Sequence, residues 1–89
     1  MNLGDESSMQ LSVRLFARAR DLAGDDAVTV ELAEGASVVD LKLALAEQHE
    51  SLATIVPHLL VAIGTDYAED STPLSSDADV SCFPPVSGG

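Results

Sequence analysis

The sequence predicts a small α+β domain in which one main helix packs on one face of a mixed sheet of about five strands. Three observations predict this fold class. Two early segments alternate between apolar and polar residues, a capped amphipathic helix follows them, and further apolar segments complete the order strand, strand, helix, strand, short strand, strand. At 89 residues and 46% hydrophobic content, the chain has the size and composition of one domain.

The first two strands are predicted from their alternation, because a period of two is typical of a half-buried strand. The segments are "QLSVRLFA" and "AVTVEL". Between them lies a short helical turn that we expect to end at Gly24. This short connection predicts an antiparallel pair. The positions expected to face the core are Leu11, Val13, Leu15, Val28, Val30 and Leu32.

The main helix is predicted over residues 37–49. Ser37 is a favourable N-cap, and Asp40 three residues later completes a pattern resembling a capping box. Two neighbouring apolar stripes together predict a broad face that covers the sheet. The first stripe is Val38, Leu41 and Leu45, and the second is Val39, Leu43 and Ala46.

The second half of the chain is predicted to supply the remaining strands. One more helical turn is expected before Pro57, which should end it. The apolar run "HLLVAI" is typical of an interior strand, and a short edge strand is expected around Tyr67. In the last strand, "DVSCF", Cys82 should face the core and Phe83 the opposite side. The helical crossover allows the first and last strands to lie parallel in the middle of the sheet.

Charge and cysteine content exclude several classes of function. The net charge is −11, so the chain lacks the basic surface that binding to nucleic acids or anionic membranes requires. No apolar run is long enough to span a membrane. A single cysteine excludes an internal disulfide and a zinc finger and suits a reducing compartment, so we predict a cytoplasmic location and no metal site.

Conventional catalytic groups are few. Cys82 is expected to be a small core residue, since it alternates in phase with Val80, and nothing in the spacing pairs it with His49 or His58. Acidic side chains in the late loops are interpreted as a solvated rim. These acids are Asp66, Glu69, Asp70, Asp77 and Asp79.

The C-terminal segment "FPPVSGG" offers a different kind of chemistry, at its terminal carboxylate. Pro84 and Pro85 favour a stiff, extended stem, and Gly88 and Gly89 lack side chains, so they can pass through a channel too narrow for other residues. The terminal carboxylate of Gly89 would react only after activation, for example as an acyl-adenylate made with ATP. This chain has no phosphate-binding loop, so a partner must bind the ATP, and no permanent cofactor is expected here.

The order of elements and the ending "FPPVSGG" resemble the molybdopterin synthase small subunits, which are ubiquitin-like β-grasp sulfur carriers. "VRLFARARDLAG" is similar to the first strand and short helix of that family. The resemblance divides the chain into a disordered leader (1–8), a β-grasp domain (9–83) and an extended tail (84–89).

The family resemblance also implies a function. Gly89 would be adenylated by a ubiquitin-activating-like enzyme and converted to a thiocarboxylate, which donates sulfur to precursor Z (cyclic pyranopterin monophosphate) within a synthase, as a 2:2 heterotetramer with the large subunit. The chain would be the sulfur-donating subunit, without a complete active site of its own. The residues implied to contact the partner are Phe83, Pro84, Pro85, Val86, Ser87 and Gly88.

Three alternatives remain open from the sequence. The chain could carry sulfur for thiamine synthesis or for transfer-RNA thiolation, since these use the same tail chemistry with another acceptor. It could be a ubiquitin-like modifier that forms isopeptide bonds with lysines. It could also be an interaction module in which Gly-Gly has no chemical role.

Overall fold

The computed structural model describes residues 8–84. It contains five strands and two α-helices, with two short 3₁₀ turns between the second helix and the third strand. Their bounds are β1 Ser8–Leu15, α1 Arg18–Ala23, β2 Ala27–Ala33, α2 Val38–Gln48, 3₁₀ turns Glu50–Leu52 and Val56–His58, β3 Leu60–Ile63, β4 Asp66–Tyr67 and β5 Val80–Phe83. The predicted order of elements is therefore confirmed. β1 begins at Ser8, one residue before the predicted domain boundary, and residues 1–7 lie outside the described part of the chain.

The five strands form one mixed sheet in the order β2-β1-β5-β3-β4. β1 and β2 pair antiparallel, with Leu11 opposite Val30. β1 and β5 pair parallel, with Leu15 opposite Cys82, as the predicted crossover allows. β3 pairs antiparallel with both β5 and β4. The first and last strands are therefore neighbours within the sheet, and the last strand occupies its centre.

The core lies between α2 and one face of the sheet, and it is almost entirely aliphatic. All the strand positions predicted to face the core do so, although Val28 near the start of β2 is only partly buried. Leu52, Val56 and Leu59 add to this core from the segment between α2 and β3. The largest completely buried side chains are Leu11, Leu15, Leu41, Leu45, Leu52, Val13, Val30, Val38, Val80 and Cys82.

The helix starts as predicted, but its apolar face is narrower than predicted. The backbone N–H of Ser37 donates to the carboxylate of Asp40 at 2.9 Å, completing the capping box. The proposed second stripe is wrong: Val39 and Leu43 are 41% and 63% exposed. A single helix on a single sheet presents only one stripe to the core, and the buried residues of α2 are Val38, Leu41, Ala44 and Leu45.

The prediction that Pro57 ends a helical turn is also wrong. Pro57 lies within the 3₁₀ turn Val56–His58, in its first positions. A first-turn position suits proline, because the missing N–H would have no partner there and the fixed φ angle already fits the turn. Gly24, by contrast, ends α1 as predicted, with the left-handed φ of 75° that glycine adopts without strain. None of the helices within residues 8–84 is long and apolar enough to cross a membrane.

Candidate functional site beside the C-terminal tail

The C-terminal segment follows β5, the central strand of the sheet. β5 ends at Phe83, and its neighbours are β1 on one side and β3 on the other. Pro84 follows, partly buried. The rest of the predicted tail lies outside the described residues, so the roles predicted for it stay predictions. These residues are Pro85, Val86, Ser87, Gly88 and Gly89. The sheet surface around Phe83 is accordingly the part of the candidate site that the structure describes.

Phe83 is the centre of an aromatic cluster on the sheet face opposite α2. The rings of Phe16 and Phe83 stack with centroids 4.8 Å apart and an angle of 8° between their planes. Tyr67 meets Phe83 edge-on at 6.4 Å and 71°. Leu60 is the direct partner of Phe83 in the β3–β5 pairing. We call these four residues the aromatic patch.

Phe83 faces away from the core, as the alternation of β5 predicts, but it is partly buried by its neighbours. The other members of the patch are more open: Phe16 is 40% exposed, Leu60 43% and Tyr67 73%. Clustered, solvent-exposed apolar side chains of this size are typical of a surface that contacts another macromolecule. The aromatic patch is therefore a candidate docking surface beside Phe83, the residue at which β5 ends.

The sequence alone did not identify Phe16 and Tyr67 as members of this site. They lie 67 and 16 positions before Phe83 in the sequence and meet it only through strand pairing. One signal was available. These three residues are all the aromatic side chains of the chain, and a chain with an aliphatic core and so few aromatic residues has reason to place them where large, rigid contacts matter.

A strained residue follows Phe16. Ala17, between β1 and α1, has φ 55° and ψ −128°, a conformation that residues with a Cβ atom rarely adopt. Strain of this kind persists only where the surrounding structure imposes it, and it is concentrated near functional surfaces. Ala17 directly follows Phe16, whose ring stacks on Phe83, and it precedes the start of α1 at Arg18.

Cys82 lies directly beneath this surface but takes no part in it. Its side chain is completely buried in the core, as predicted, and burial raises the pKa of the thiol from 9.0 to about 12, with a small opposing effect from the charge of Lys42. Within residues 8–84, no hydrogen bond joins Cys82 to a histidine; His49 instead bonds the carbonyl oxygen of Thr29 at 3.0 Å. The thiol is therefore a core group, inert as a nucleophile.

The buried thiol makes the stability of the domain sensitive to alkaline pH. The pKa of Cys82 is raised by folding, so its contribution is fully present below pH 9 and is lost as pH rises toward 12. We expect the wild type to lose about 1 kcal/mol more than the Cys82→Val variant between pH 8 and pH 10. Urea unfolding of both proteins at the two pH values measures this difference, and equal losses would contradict the burial of the thiol.

Charged groups surround the patch on its β1 side. Arg14 lies 3.7 Å from Asp79 and Arg20 lies 3.8 Å from Asp26, all of them well exposed. The predicted acidic rim is exposed too, with Asp66, Glu69, Asp70, Asp77 and Asp79 all open to solvent. A hydrogen bond from Ser75 lowers the pKa of Asp77. Within residues 8–84, no three His, Cys, Asp or Glu side chains converge to hold a metal ion.

Comparison with known proteins identifies a family and several relatives. The ThiS family matches residues 13–89. The chain is 32% identical over 83 residues to a molybdopterin synthase sulfur carrier subunit of Chlamydomonas reinhardtii, with 91% of this chain and 100% of the relative covered. It is 31% identical over 85 residues to the protein of the same name from Arabidopsis thaliana, with coverage of 96% and 88%.

Solved structures share the fold. A putative molybdopterin converting factor subunit 1 from Pyrococcus furiosus is 31% identical with a TM-score of 0.75, covering 88% of this chain and 99% of that one. SAMP1 from Haloferax volcanii is 27% identical with a TM-score of 0.77, covering 90% and 99%. A Helicobacter pylori complex of subunits 1 and 2 of molybdopterin-converting factor has a chain of this fold at 22% identity and a TM-score of 0.62, covering 91% and 100%. The expected ubiquitin-like β-grasp fold is confirmed, and this chain belongs to the ThiS family, with molybdopterin synthase sulfur carrier subunits among its relatives.

Proposed function

We propose that this chain is the sulfur carrier subunit of a molybdopterin synthase. The observation that carries the proposal is the combination of the "FPPVSGG" ending with an aromatic patch at the base of that segment, in a chain about one-third identical to relatives of that name. In this proposal Gly89 carries the sulfur, and Pro84, Pro85, Val86, Ser87 and Gly88 guide it into the partner. Precursor Z is the acceptor.

Each chemical step proposed for Gly89 has its reactants and leaving groups accounted for, and none of them comes from another residue of this chain. Its carboxylate attacks the α-phosphate of ATP, which releases pyrophosphate and leaves an acyl-adenylate. A sulfur donor at the oxidation level of sulfide then displaces AMP and leaves a thiocarboxylate. Attack of water on the carrier's acyl carbon, once its sulfur is joined to the pterin, releases the carboxylate again. A dithiolene needs two sulfur atoms, so two loaded carriers are consumed for each product.

Two kinds of partner complete this proposal. An adenylyltransferase of the ubiquitin-activating type binds the ATP, and the large subunit of the synthase binds the pterin, in a 2:2 heterotetramer. Both must contact the same end of the domain, because both act on Gly89. The carrier itself needs no permanent cofactor or metal. The location proposed for the reaction is the cytoplasm, where ATP and reduced sulfur donors are both present.

The proposed function is tested by the mass of the chain after reaction. Incubation with an activating enzyme, ATP and a sulfur source should replace one carboxylate oxygen with sulfur, and mass spectrometry should locate the change at Gly89. Addition of precursor Z and a large subunit should then return the carrier to its original mass and yield molybdopterin. A carrier that is loaded but transfers no sulfur to precursor Z would point to a different acceptor.

A second candidate function is a protein modifier. SAMP1 from Haloferax volcanii, named a small archaeal modifier protein, has the same fold, with a TM-score of 0.77. The same activation of Gly89 would then end in an isopeptide bond to a lysine of another protein. This candidate is favoured if the incubation with activating enzyme and ATP yields covalent adducts that survive thiol reduction, and it is rejected if the only stable product is the thiocarboxylate.

The aromatic patch is expected to provide part of the binding energy for the large subunit. Large aromatic side chains at the centre of an interface are frequent hot spots. We expect Phe83→Ala to weaken binding about tenfold or more, since it removes the ring on which both Phe16 and Tyr67 pack. Isothermal titration calorimetry with the purified large subunit measures this loss.

A matched control comes from the opposite side of the molecule. Val39 is exposed on the outer face of α2, so Val39→Ala removes an exposed apolar side chain outside the patch and should leave the affinity unchanged. Circular dichroism must show that both variants keep the native fold. Normal binding by a folded Phe83→Ala protein would remove the patch from the proposed interface.

A further inference from the structure

The sheet has two edge strands of very different length. β4 consists of two residues, Asp66–Tyr67, whereas β2 has seven, Ala27–Ala33. A short edge strand offers few backbone groups for pairing, but a long one is a template for an additional strand. The sequence of β2, "AVTVELA", further favours pairing with an additional strand, because β-branched residues favour extended structure. Of the two edges, β2 is therefore the one on which a further strand could be added.

Two side chains from the end of α2 occupy this edge. The backbone N–H of Glu31 donates to Oε1 of Gln48 at 3.0 Å, and Nε2 of Gln48 donates to the carbonyl oxygen of Glu31 at 2.9 Å. The carboxamide of Gln48 thus bonds the same residue twice. A primary amide has one donor group and one acceptor group next to each other, as the peptide groups of a neighbouring strand do.

His49 extends the contact by one step along the strand. Its Nε2 lies 3.0 Å from the carbonyl oxygen of Thr29. Because a carbonyl oxygen can only accept, Nε2 must carry the hydrogen in this contact. Thr29 and Glu31 are two positions apart, the spacing at which successive outward backbone groups of an edge strand occur. Gln48 and His49 together therefore satisfy three backbone groups on the outer edge of β2.

We propose that Gln48 and His49 act as a side-chain substitute for a sixth strand, and that they prevent a second copy of this chain from pairing with β2. The occupant that they exclude is the β2 strand of another copy. Two identical edges can pair antiparallel about a twofold axis, so each copy offers the complementary surface without any further specialisation. The result would be one continuous sheet across both copies. The net charge of −11 on each copy opposes this association from a distance, and Gln48 and His49 oppose it at the edge itself.

This inference does not depend on the proposed sulfur-carrier function, because it concerns a surface away from the aromatic patch. β2 and β5 are separated by β1 in the sheet. A carrier has to present its tail to successive partners, and self-association would compete with those encounters. Hydrogen bonds within the chain to the backbone groups on the edge of β2 therefore favour the monomer. They do so without altering the aromatic patch.

The test compares the full-length Gln48→Ala variant with the wild type and with Glu47→Ala. Glu47 is the exposed neighbour of Gln48 on the last turn of α2, so its replacement is a control for loss of a polar side chain at the helix end. Sedimentation equilibrium is measured in 1 M NaCl, where charge repulsion is screened within roughly 3 Å. We expect Gln48→Ala to form a dimer of about twice the 9.2 kDa monomer mass, whereas the wild type and Glu47→Ala remain monomers. A folded Gln48→Ala protein that stays monomeric overturns the proposal.

Amide hydrogen exchange gives a second measurement, first on the wild type and then on the Gln48→Ala variant. The Glu31 amide should be protected although it faces outward from an edge strand. In dilute Gln48→Ala it should exchange about fivefold faster, the effect of losing one hydrogen bond, and protection should return as the protein concentration rises. The proposed role of Gln48 would be rejected by fast exchange of the Glu31 amide in the wild type. It would also be rejected if protection of this amide in the variant did not change with protein concentration.

Discussion

A chain that lacks Gly89 is expected to lose sulfur transfer by at least about 100-fold while it keeps its fold. Gly88 would then be the terminal residue, so a glycine carboxylate would still be present. However, its reactive carbon would stop short by the length of one residue, roughly 3.5 Å. Reacting groups have to approach within about 3–3.5 Å in a defined geometry, so a displacement of this size places the carboxylate out of reach of both the activating enzyme and the pterin.

Two further variants distinguish the effect of the position of the terminal carboxylate from the effect of bulk beside it. One residue added after Gly89 should abolish transfer equally, because it moves the carboxylate and places a side chain at the tip. Gly88→Val keeps the terminal carboxylate but adds bulk next to it, so it should block entry into a narrow channel. The matched control adds the same residue before Met1, which leaves the C-terminal end unchanged. Turnover of precursor Z with a purified large subunit and sulfur donor measures all four proteins.

The fold of these variants should be unaffected, since β5 ends at Phe83, six positions before Gly89. Thermal unfolding curves that coincide with that of the wild type would establish this. If a protein extended beyond Gly89 and not processed supported full turnover, the Gly-Gly ending would have no role in the chemistry, and the proposed function would have to be abandoned.

The second large effect is expected in the core. Leu41→Ala should lower the free energy of unfolding by about 2–5 kcal/mol, because Leu41 is completely buried between α2 and the sheet and its truncation leaves a cavity. A domain of this size has a total stability of only about 5–15 kcal/mol. The loss should therefore be a large fraction of the total, and urea denaturation monitored by circular dichroism measures it.

Leu43→Ala is the matched control for this prediction. It makes the same chemical change, two positions further along the same helix, so the effect on helix propensity is the same. Leu43 is 63% exposed, and its replacement should change the free energy of unfolding by less than about 0.5 kcal/mol. Similar losses in the two variants would mean that α2 packs on the sheet by a different face from the one described here.

Much of this fold could be predicted from the sequence because its main signals are local. Alternation along β1 and β2 fixes which side chains face the core, since a strand's side chains point to opposite faces in turn. The capping box of Ser37 and Asp40 fixes the start of α2 through groups three residues apart. The helical crossover allows the parallel pairing of β1 and β5 that the structure shows. The alternation and the capping box depend on distances along the chain that one element can specify by itself.

The aromatic patch could be predicted only in part. The alternation of β5 places Phe83 on the outer face, but it carries no information about which side chains lie beside it. Phe16 and Tyr67 reach Phe83 through the pairing of β1 with β5 and of β3 with β5 and β4. Strand register is set by the packing of the whole sheet, so contacts between residues far apart in the sequence are decided only when the strands come together.

The sequence by itself determined the elements, their order, most of the core and the chemical character of the "FPPVSGG" ending, because those depend on periodicity and on the properties of individual residues. Only the tertiary structure decided that Leu43 faces solvent, that the rings meet around Phe83, and that Gln48 bonds the edge of β2. The physical reason is the same in each case. A helix face, a ring or a carboxamide has no preferred partner until the sheet twists and closes against α2, and the space that remains then selects which side chains are covered and which are left exposed.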